Sequence, residues 1–214
     1  MGIVDDAVIL AGGMGTRMLP ASLYAPKETM PLVDTPILNH LIWEAAKAGV
    51  SRVHLVLSEG KRDLLEKFLQ FGTIHGDEVR VDLPRESISL GVEGIEIIPH
   101  IQANPGGVAD AISVAIESIE GPFLVLLGDM LMIDKNESKQ FSRPSASSAS
   151  SASMRLVSSF ESSGLPLVGV FPVEISRLSN YGVVELSGNM VLDIVEKPQA
   201  KHAKSNYILC GRYL

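Results

Sequence analysis

The stretch VDDAVILAGGMGTRMLP, residues 4–20, decides the fold, because an apolar run leads directly into a glycine-rich turn. The run AVIL is followed by Gly12, Gly13 and Gly15, and Arg17 closes the turn. An apolar strand that ends in a glycine loop usually holds a phosphate group, since glycine lets backbone N–H groups converge on an anion. A glycine turn with a surface arginine explains this stretch equally well on its own, so the choice depends on the rest of the chain.

Two common phosphate-binding motifs do not fit this loop. A P-loop counted from Gly12 requires its second glycine where Arg17 stands, and the dinucleotide fingerprint has Met18 at its third glycine position. That fingerprint also requires a helix directly after the loop. Four prolines disfavour such a helix: Pro20, Pro26, Pro31 and Pro36. We therefore expect an extended segment that carries Lys27 back past the same strand end, so that two cations and backbone N–H groups gather the anion.

The composition is that of an ordinary globular protein. The chain has 214 residues, of which 46% are hydrophobic and 20% charged. Its net charge of −7 argues against a nucleic-acid partner. The single cysteine, Cys210, excludes an internal disulfide and favours a reducing compartment. No apolar run approaches the length that spans a membrane. We expect a cytoplasmic protein with no membrane or nucleic-acid partner.

Strand and helix patterns alternate along the first two thirds of the chain. Buried strands are predicted at 51–58, 95–99, 123–129 and 166–173. Helices are predicted over 35–49, with Thr35 as N-cap, over 61–72 and over 107–121. This order predicts an α/β fold with a mostly parallel sheet covered by helices on both faces. Ligands bind such sheets at the carboxyl ends of the strands, where both the glycine loop and Asp129 fall.

The C-terminal third has a different pattern. Residues 181–198 alternate around Gly188-Asn189, which predicts a β-hairpin, and residues 206–214 are largely apolar. Before them, seven of the twelve residues in 142–153 are serine. That composition cannot bury apolar surface, so we expect a mobile loop over 134–153. Regulation of this serine tract by a kinase is the alternative interpretation, and only composition favours it.

Six motifs in order resemble one family. They are residues 10–45, which include LAGGMGTRMLPASLYAPKE, then QANPGGVADAI, LLGDM, NYGVVEL, IVEKP and ILCGRYL. Together they resemble the sugar-1-phosphate nucleotidylyltransferases, and most closely the bacterial-type UTP–glucose-1-phosphate uridylyltransferases. The resemblance implies one nucleotidylyltransferase domain over 1–214, with the Rossmann-like three-layer fold of nucleotide-diphospho-sugar transferases.

The resemblance also implies a reaction. A sugar-1-phosphate, glucose-1-phosphate in this subgroup, attacks the α-phosphorus of UTP in the presence of Mg²⁺, which gives a UDP-sugar and pyrophosphate. Such chemistry needs alignment and charge neutralisation rather than a general base. Two alternatives stay open: an enzyme specific for dTTP or another sugar-1-phosphate, and a non-catalytic protein that binds sugar nucleotides.

The matching positions imply the site residues on the nucleotide side. Residues that resemble the nucleotide-binding set are Ala11, Gly12, Gly13, Gly15, Gln102 and Gly107. Arg17 and Lys27 would hold the triphosphate, and Asp129 would hold Mg²⁺. Taken alone, Asp129 is equally explained as a turn residue after a strand.

The implied sugar-side residues lie in the C-terminal third. Gly182 would lie against the sugar, Glu196 would accept hydrogen bonds from its hydroxyl groups, and Lys197 would hold its phosphate. Taken alone, Glu196-Lys197 is better explained as an exposed charged pair at a strand end.

Three features depart from the family pattern. Leu23 stands where a lysine is common, and Ala109-Asp110 replaces a more usual Gly-His, which leaves the base and sugar open. The sequence given stops at Leu214, before an Asp-Cys-Gly or Asp-Thr-Gly motif whose aspartate is the second metal ligand in the family. We therefore expect either a fragment or a shortened relative with impaired chemistry. That segment commonly forms the subunit interface, so a homo-oligomer stays open.

Overall fold

A central mixed β-sheet organises the structure, a computed structural model that describes residues 3–63, 95–104, 106–134 and 149–214. The strands are β1 Asp6–Leu10, β2 Pro31–Leu32, β3 Thr35–Pro36, β4 Arg52–Ser58, β5 Glu96–Gln102, β6 Phe123–Leu127, β7 Val168–Pro172, β8 Gly182–Ser187, β9 Met190–Glu196 and β10 Tyr207–Tyr213. The helices are α1 Ile37–Lys47, α2 Val108–Ile116 and α3 Ala152–Ser163. Within the described ranges, no helix is long and apolar enough to cross a bilayer.

Four parallel strands form the first half of the sheet, in the order β5-β4-β1-β6. Strand β1 lies between β4 and β6, with Leu10 paired to Val56 on one side and to Leu127 on the other. All four strands point the same way, so the residues that follow Leu10, Ser58, Gln102 and Leu127 meet at one edge.

Alternate residues of these strands build two separate cores. Ile9, Leu55 and Leu126 contribute to the core beneath α1 and α3. Their neighbours Val8, Val56 and Val125 pack on the opposite face, against Ala111 and Ala115 of α2. This division follows from the two-residue period of a strand, which sends successive side chains to opposite faces. The predicted α/β class with helices on both faces of the sheet is confirmed.

The C-terminal strands continue the sheet in antiparallel fashion. Strand β10 pairs with β6 through Arg212 and Leu126, with β8 through Ile208, and with β7 over 207–209 and at Tyr213. Strands β8 and β9 form the predicted hairpin, whose turn contains Gly188. The strand predicted at 166–173 forms β7, but its Phe171 is half-exposed rather than buried.

Several predicted boundaries were wrong. Thr35 does not cap α1, because Thr35–Pro36 pairs with Pro31–Leu32 and the helix begins one residue later, with Pro36 at its N-cap. The segment after the glycine loop is not extended: it forms three short 3-10 turns, at Thr16–Met18, Ala21–Leu23 and Lys27–Thr29. The helix predicted over 61–72 lies mostly outside the described residues.

A buried ion pair changes the interpretation of the serine tract. Glu44 of α1 makes two charge-assisted bonds to Arg212 of β10, at 2.7 and 2.8 Å, and both side chains are buried. The Ser153 hydroxyl donates to Glu44 over 2.6 Å and is fully buried. The predicted loop boundary at 153 was therefore wrong, because α3 begins at Ala152 and Ser153 satisfies a buried carboxylate. Residues 135–148 of that loop lie outside the described residues.

Candidate active site

The loops after β1 and β6 are in backbone contact at the carboxyl edge of the sheet. The Gly128 N–H donates to the Leu10 carbonyl over 2.9 Å. A Cβ atom at Gly128 would lie 2.4 Å from that oxygen, so a residue with a side chain cannot stand there without moving the strand. This close approach sets Asp129, the next residue, directly beside the glycine loop.

Asp129 binds both cations that the sequence assigns to the phosphate. Its Oδ2 lies 3.0 Å from Lys27 Nζ and 3.4 Å from Arg17 Nη2. Lys27 is buried, whereas the Arg17 side chain is 86% exposed and extends from the first 3-10 turn, after Gly15. A Cβ atom at Gly13 would lie 3.3 Å from Lys27 Nζ, so this ammonium group stands against the glycine loop. The predicted gathering of Arg17, Lys27 and Asp129 at one strand end is present in the structure.

A third cation, Lys61, was not predicted from the sequence and binds backbone carbonyl groups of the glycine loop. Lys61 Nζ donates to the carbonyl oxygens of Ala11 and Gly13, over 2.6 and 2.7 Å, and to Glu28 Oε2 over 2.8 Å. Burial lowers the pKa of the Lys61 ammonium group, while its bond to Glu28 opposes that shift. Glu28 is fully buried, and its Oε1 has no hydrogen-bond partner among the described residues; Lys27 Nζ lies 3.7 Å away.

Lys61 has a definite role in loop geometry. Because its three donors are taken by two loop carbonyls and one carboxylate, they are not available for a phosphate. The ammonium group instead holds the Ala11 and Gly13 carbonyl oxygens toward Lys61. A signal for Lys61 was present in the sequence, since it lies just after the carboxyl end of β4, as Asp129 lies just after that of β6.

Gln102 ends β5 beside the glycine loop. The side chain is buried, and a Cβ atom at Gly12 would lie 3.3 Å from its Oε1. Its Nε2 donates to Asp110 Oδ2 over 2.5 Å and to the Gly107 carbonyl over 3.4 Å. Gly107 is the N-cap of α2 with φ +96°, a conformation that favours glycine. The residues assigned to the base therefore join the phosphate-side residues at one edge.

The sugar-side residues form a second group. Gly182 of β8 pairs with Glu196 of β9, and a Cβ atom at Gly182 would lie 3.1 Å from Glu196 Oε2. Lys197 has φ +46°, and its N–H donates to the Tyr181 carbonyl over 3.0 Å. The Lys197 and Glu196 side chains are 62% and 70% exposed and pair over 3.2 Å.

The sheet register relates the two groups. Strand β8 pairs with β10 through Val183 and Ile208, and β10 pairs with β6 through Arg212 and Leu126. Following β10 from Arg212 back to Ile208 passes beyond the carboxyl end of β6. The sugar-side group therefore lies on the same edge of the sheet as Asp129, with β10 between them.

The donor set fits a metal shared with phosphate rather than a closed metal cage. Among the described residues, no group of three or more His, Cys, Asp or Glu side chains could hold an ion. Asp129 offers one partly exposed carboxylate next to two cations that complement phosphate. Mg²⁺ is commonly bound through one or two carboxylates together with substrate phosphates, and Asp129 meets that requirement.

Comparison with known proteins gives a consistent result. Residues 6–214 match the family model described as Nucleotidyl transferase. The UTP–glucose-1-phosphate uridylyltransferase YngB of Bacillus subtilis is 31% identical, and the match covers 99% of this chain and 69% of that protein. The UTP–glucose-1-phosphate uridylyltransferase of Mycoplasma genitalium is 30% identical, with 99% and 71% covered.

Two solved structures are similar in fold. The UDP-glucose pyrophosphorylase from Acinetobacter baumanii has a TM-score of 0.80 at 29% identity, over 98% of this chain and 73% of that one. A UDP-glucose pyrophosphorylase complexed with UDP-glucose has a TM-score of 0.77 at 26% identity, over 98% and 75%. The resemblance that the six motifs indicated is thereby confirmed.

Proposed function

The chain belongs to the nucleotidyl transferase family, and from this premise we propose that it transfers the uridylyl group of UTP to a sugar-1-phosphate, in the first place glucose-1-phosphate. The products are a UDP-sugar and pyrophosphate. The observation that carries the proposal is the meeting of Lys27 and Arg17 on Asp129, beside the glycine loop and Gln102. A cytoplasmic location is part of the proposal.

The chain's own residues supply alignment and charge. The sugar phosphate is already an anion, so its oxygen attacks the α-phosphorus without a general base. One P–O bond forms, and the bond from the α-phosphorus to the bridging oxygen of the β-phosphate breaks. Repulsion between two polyanions is the main obstacle, which Lys27 and Arg17 reduce by binding the triphosphate. An effective dielectric near 20 gives a lysine–phosphate contact at 4 Å a Coulomb energy of about 4 kcal/mol.

Asp129 would hold Mg²⁺ at this edge, with the nucleotide phosphates completing the coordination. The ion supplies Lewis-acid stabilisation of charge on the phosphoryl oxygens when bound. Asp129 Oδ2 also contacts Lys27 and Arg17, so a metal held there would compete with both contacts and would leave the two cations available to the triphosphate. Glu196 and Lys197 would orient the sugar hydroxyl groups and the sugar-linked phosphate from the β8–β9 side.

The test is pyrophosphate release with Mg²⁺, in which five nucleoside triphosphates are crossed with glucose-1-phosphate, N-acetylglucosamine-1-phosphate and mannose-1-phosphate. We expect turnover with UTP and glucose-1-phosphate that stops on addition of EDTA. Turnover with dTTP or another sugar-1-phosphate instead would favour the alternative of an enzyme specific for those substrates. Leu23 supports that alternative because it is 72% exposed and lacks the charge expected there. Nucleotide binding without turnover for any pair would contradict the proposal and identify a binding protein.

A further inference from the structure

We propose that Asp110 fixes the side-chain amide of Gln102 as a hydrogen-bond acceptor, and that this contact selects nucleotides whose base carries a ring N–H, as uracil and thymine do. The inference rests on the proposed function in one respect, which is that the base of the nucleotide meets Gln102. It assigns a specificity role to Asp110, the residue that stands where the family pattern has a histidine.

The amide orientation follows from the chemistry of its two partners. Gln102 Nε2 lies 2.5 Å from Asp110 Oδ2 and 3.4 Å from the Gly107 carbonyl oxygen. A carboxylate and a backbone carbonyl can only accept hydrogen bonds, so the atom that faces them must be the NH₂ group. The reversed amide would set an oxygen against two oxygens.

The amide oxygen consequently faces the glycine loop. A Cβ atom at Gly12 would lie 3.3 Å from Gln102 Oε1, so this oxygen stands against the loop. Gln102 is only 6% exposed, so its amide cannot exchange Asp110 for bulk water at little cost. The result is a fixed acceptor that opens toward the position of the nucleotide.

Asp110 is itself held in place. It lies in the first turn of α2, where a negative charge is favoured by the helix dipole. The Gly106 N–H donates to its Oδ2 over 3.3 Å, and a Cβ atom at Gly106 would lie 2.8 Å from the Asp110 Cγ. Asp110 is exposed, but these contacts place its carboxylate in a tight turn.

The consequence is a choice between two pyrimidines of nearly the same shape. Uracil presents N3–H, which can donate to the fixed Gln102 oxygen. Cytosine presents an unprotonated N3, so two lone pairs would face each other. An unmade hydrogen bond in a desolvated site lowers affinity by about 10- to 100-fold. We expect UTP to bind this much more tightly than CTP.

The experiment measures the dissociation constants of UTP and CTP by isothermal titration calorimetry, without sugar phosphate. The proteins are the wild type, Asp110→Asn, Asp110→Ala and the control Glu117→Gln, which removes a charge from an exposed residue just after the same helix. Asparagine can donate or accept, so it lets Gln102 turn its NH₂ group toward cytosine. The CTP-to-UTP ratio of dissociation constants should fall about tenfold or more in both Asp110 variants and stay unchanged in Glu117→Gln.

Two results would overturn the inference: equal affinity of the wild type for UTP and CTP, or a wild-type ratio in both Asp110 variants. Selective UTP binding that is lost in the Asp110 variants supports it, even if the wild type releases no pyrophosphate. In that case only the proposed transfer reaction fails, so the two failures are distinguishable.

Discussion

Lys61 contacts the glycine loop at the proposed phosphate site through the loop's carbonyl groups. Its ammonium group binds the Ala11 and Gly13 carbonyls and the buried Glu28 carboxylate. These contacts hold the two carbonyl groups toward Lys61. The positive charge of Lys61 is balanced by the Glu28 carboxylate, so the pair contacts the loop without adding net charge there.

Replacing Lys61 with methionine should destabilise the protein and weaken nucleotide binding. Removing one partner of a buried ion pair leaves the other charge uncompensated, which typically costs about 3–5 kcal/mol. Urea denaturation measures the change in unfolding free energy, and calorimetry measures the UTP dissociation constant. Lys201→Met, at an exposed lysine outside both groups, is the matched control and should behave as the wild type.

A double variant separates stability from loop geometry. Lys61→Met with Glu28→Gln removes both charges, so most of the lost stability should return while the UTP affinity stays low. Full recovery of UTP affinity in the double variant would show that Lys61 only balances Glu28 and does not position the loop.

At the residue scale, the sequence predicted the candidate site residues better than the residues that contact them. Arg17, Lys27 and Asp129 were predicted from the motifs, and the fold brings them together. Lys61 and Glu28 were not, because their contact joins residues 33 positions apart and depends on how two loops pack. In the sequence, Asp110 stands out only as a departure from the family pattern, because its bond to Gln102 forms where the start of α2 meets the end of β5.

At the scale of elements, a polar network joins the three adjacent strands β1, β4 and β5. Arg52 makes two bonds of 2.7 Å to Asp6, and His54 Nε2 lies 3.0 Å from the same carboxylate. His54 Nδ1 and His100 Nε2 are 2.9 Å apart, and their rings stack. Only one of two facing imidazole nitrogens can donate, so this contact requires at least one neutral histidine.

The network predicts a loss of stability in mild acid. Burial, and then the nearby His54, lower the pKa of His100 below its ordinary value of 6.5. A histidine with a lowered folded-state pKa favours the unfolded chain once protons bind. Its contribution to stability is therefore complete above pH 6.5 and is lost as the pH falls through the folded-state value. For one group this slope cannot exceed about 1.4 kcal/mol per pH unit.

Thermal unfolding of the wild type between pH 8 and pH 5 should therefore show a falling midpoint, and His100→Gln should show a shallower fall. Burial also lowers the pKa of His40, so part of the slope should remain in that variant. Asp6 acts in a lower range: burial raises its pKa, but the bonds from Arg52 and His54 outweigh that and hold it below 3.8. Its contribution is lost only below that pH. Identical slopes in wild type and His100→Gln would contradict the assignment.

Elements with a clear period were predicted well, and their ends were not. The strands β1, β4 and β6 are short apolar runs whose alternate residues fill two cores. The predicted N-cap at Thr35 was wrong because Thr35 and Pro36 pair with β2 in a small antiparallel turn before α1. This pairing outweighs the capping preference of threonine. The predicted end of the serine-rich loop was wrong because Ser153 donates a hydrogen bond to the buried Glu44. Composition alone cannot reveal such a partner.

At the scale of the whole molecule, one edge of the sheet carries the proposed site. The parallel strands end there: the glycines, Lys61 and Asp129 lie in the loops after β1, β4 and β6, and Gln102 is the last residue of β5. The hairpin β8–β9 brings Glu196 and Lys197 to the same edge across β10. This placement follows from strand direction alone, which is why motif positions could indicate the site before the contacts were known.

The most direct test of this account compares two exposed arginines that have similar ion pairs. Arg17 lies 3.4 Å from Asp129 at the proposed site, and Arg155 of α3 lies 3.5 Å from Asp134. The measurement is kcat/KM for pyrophosphate release from UTP and glucose-1-phosphate with Mg²⁺. We predict a loss of about 100-fold for Arg17→Ala, because a charged contact to the leaving group is removed. Arg155→Ala should retain the wild-type value. Equal rates for the two variants would contradict the claim that transfer occurs at this edge of the sheet.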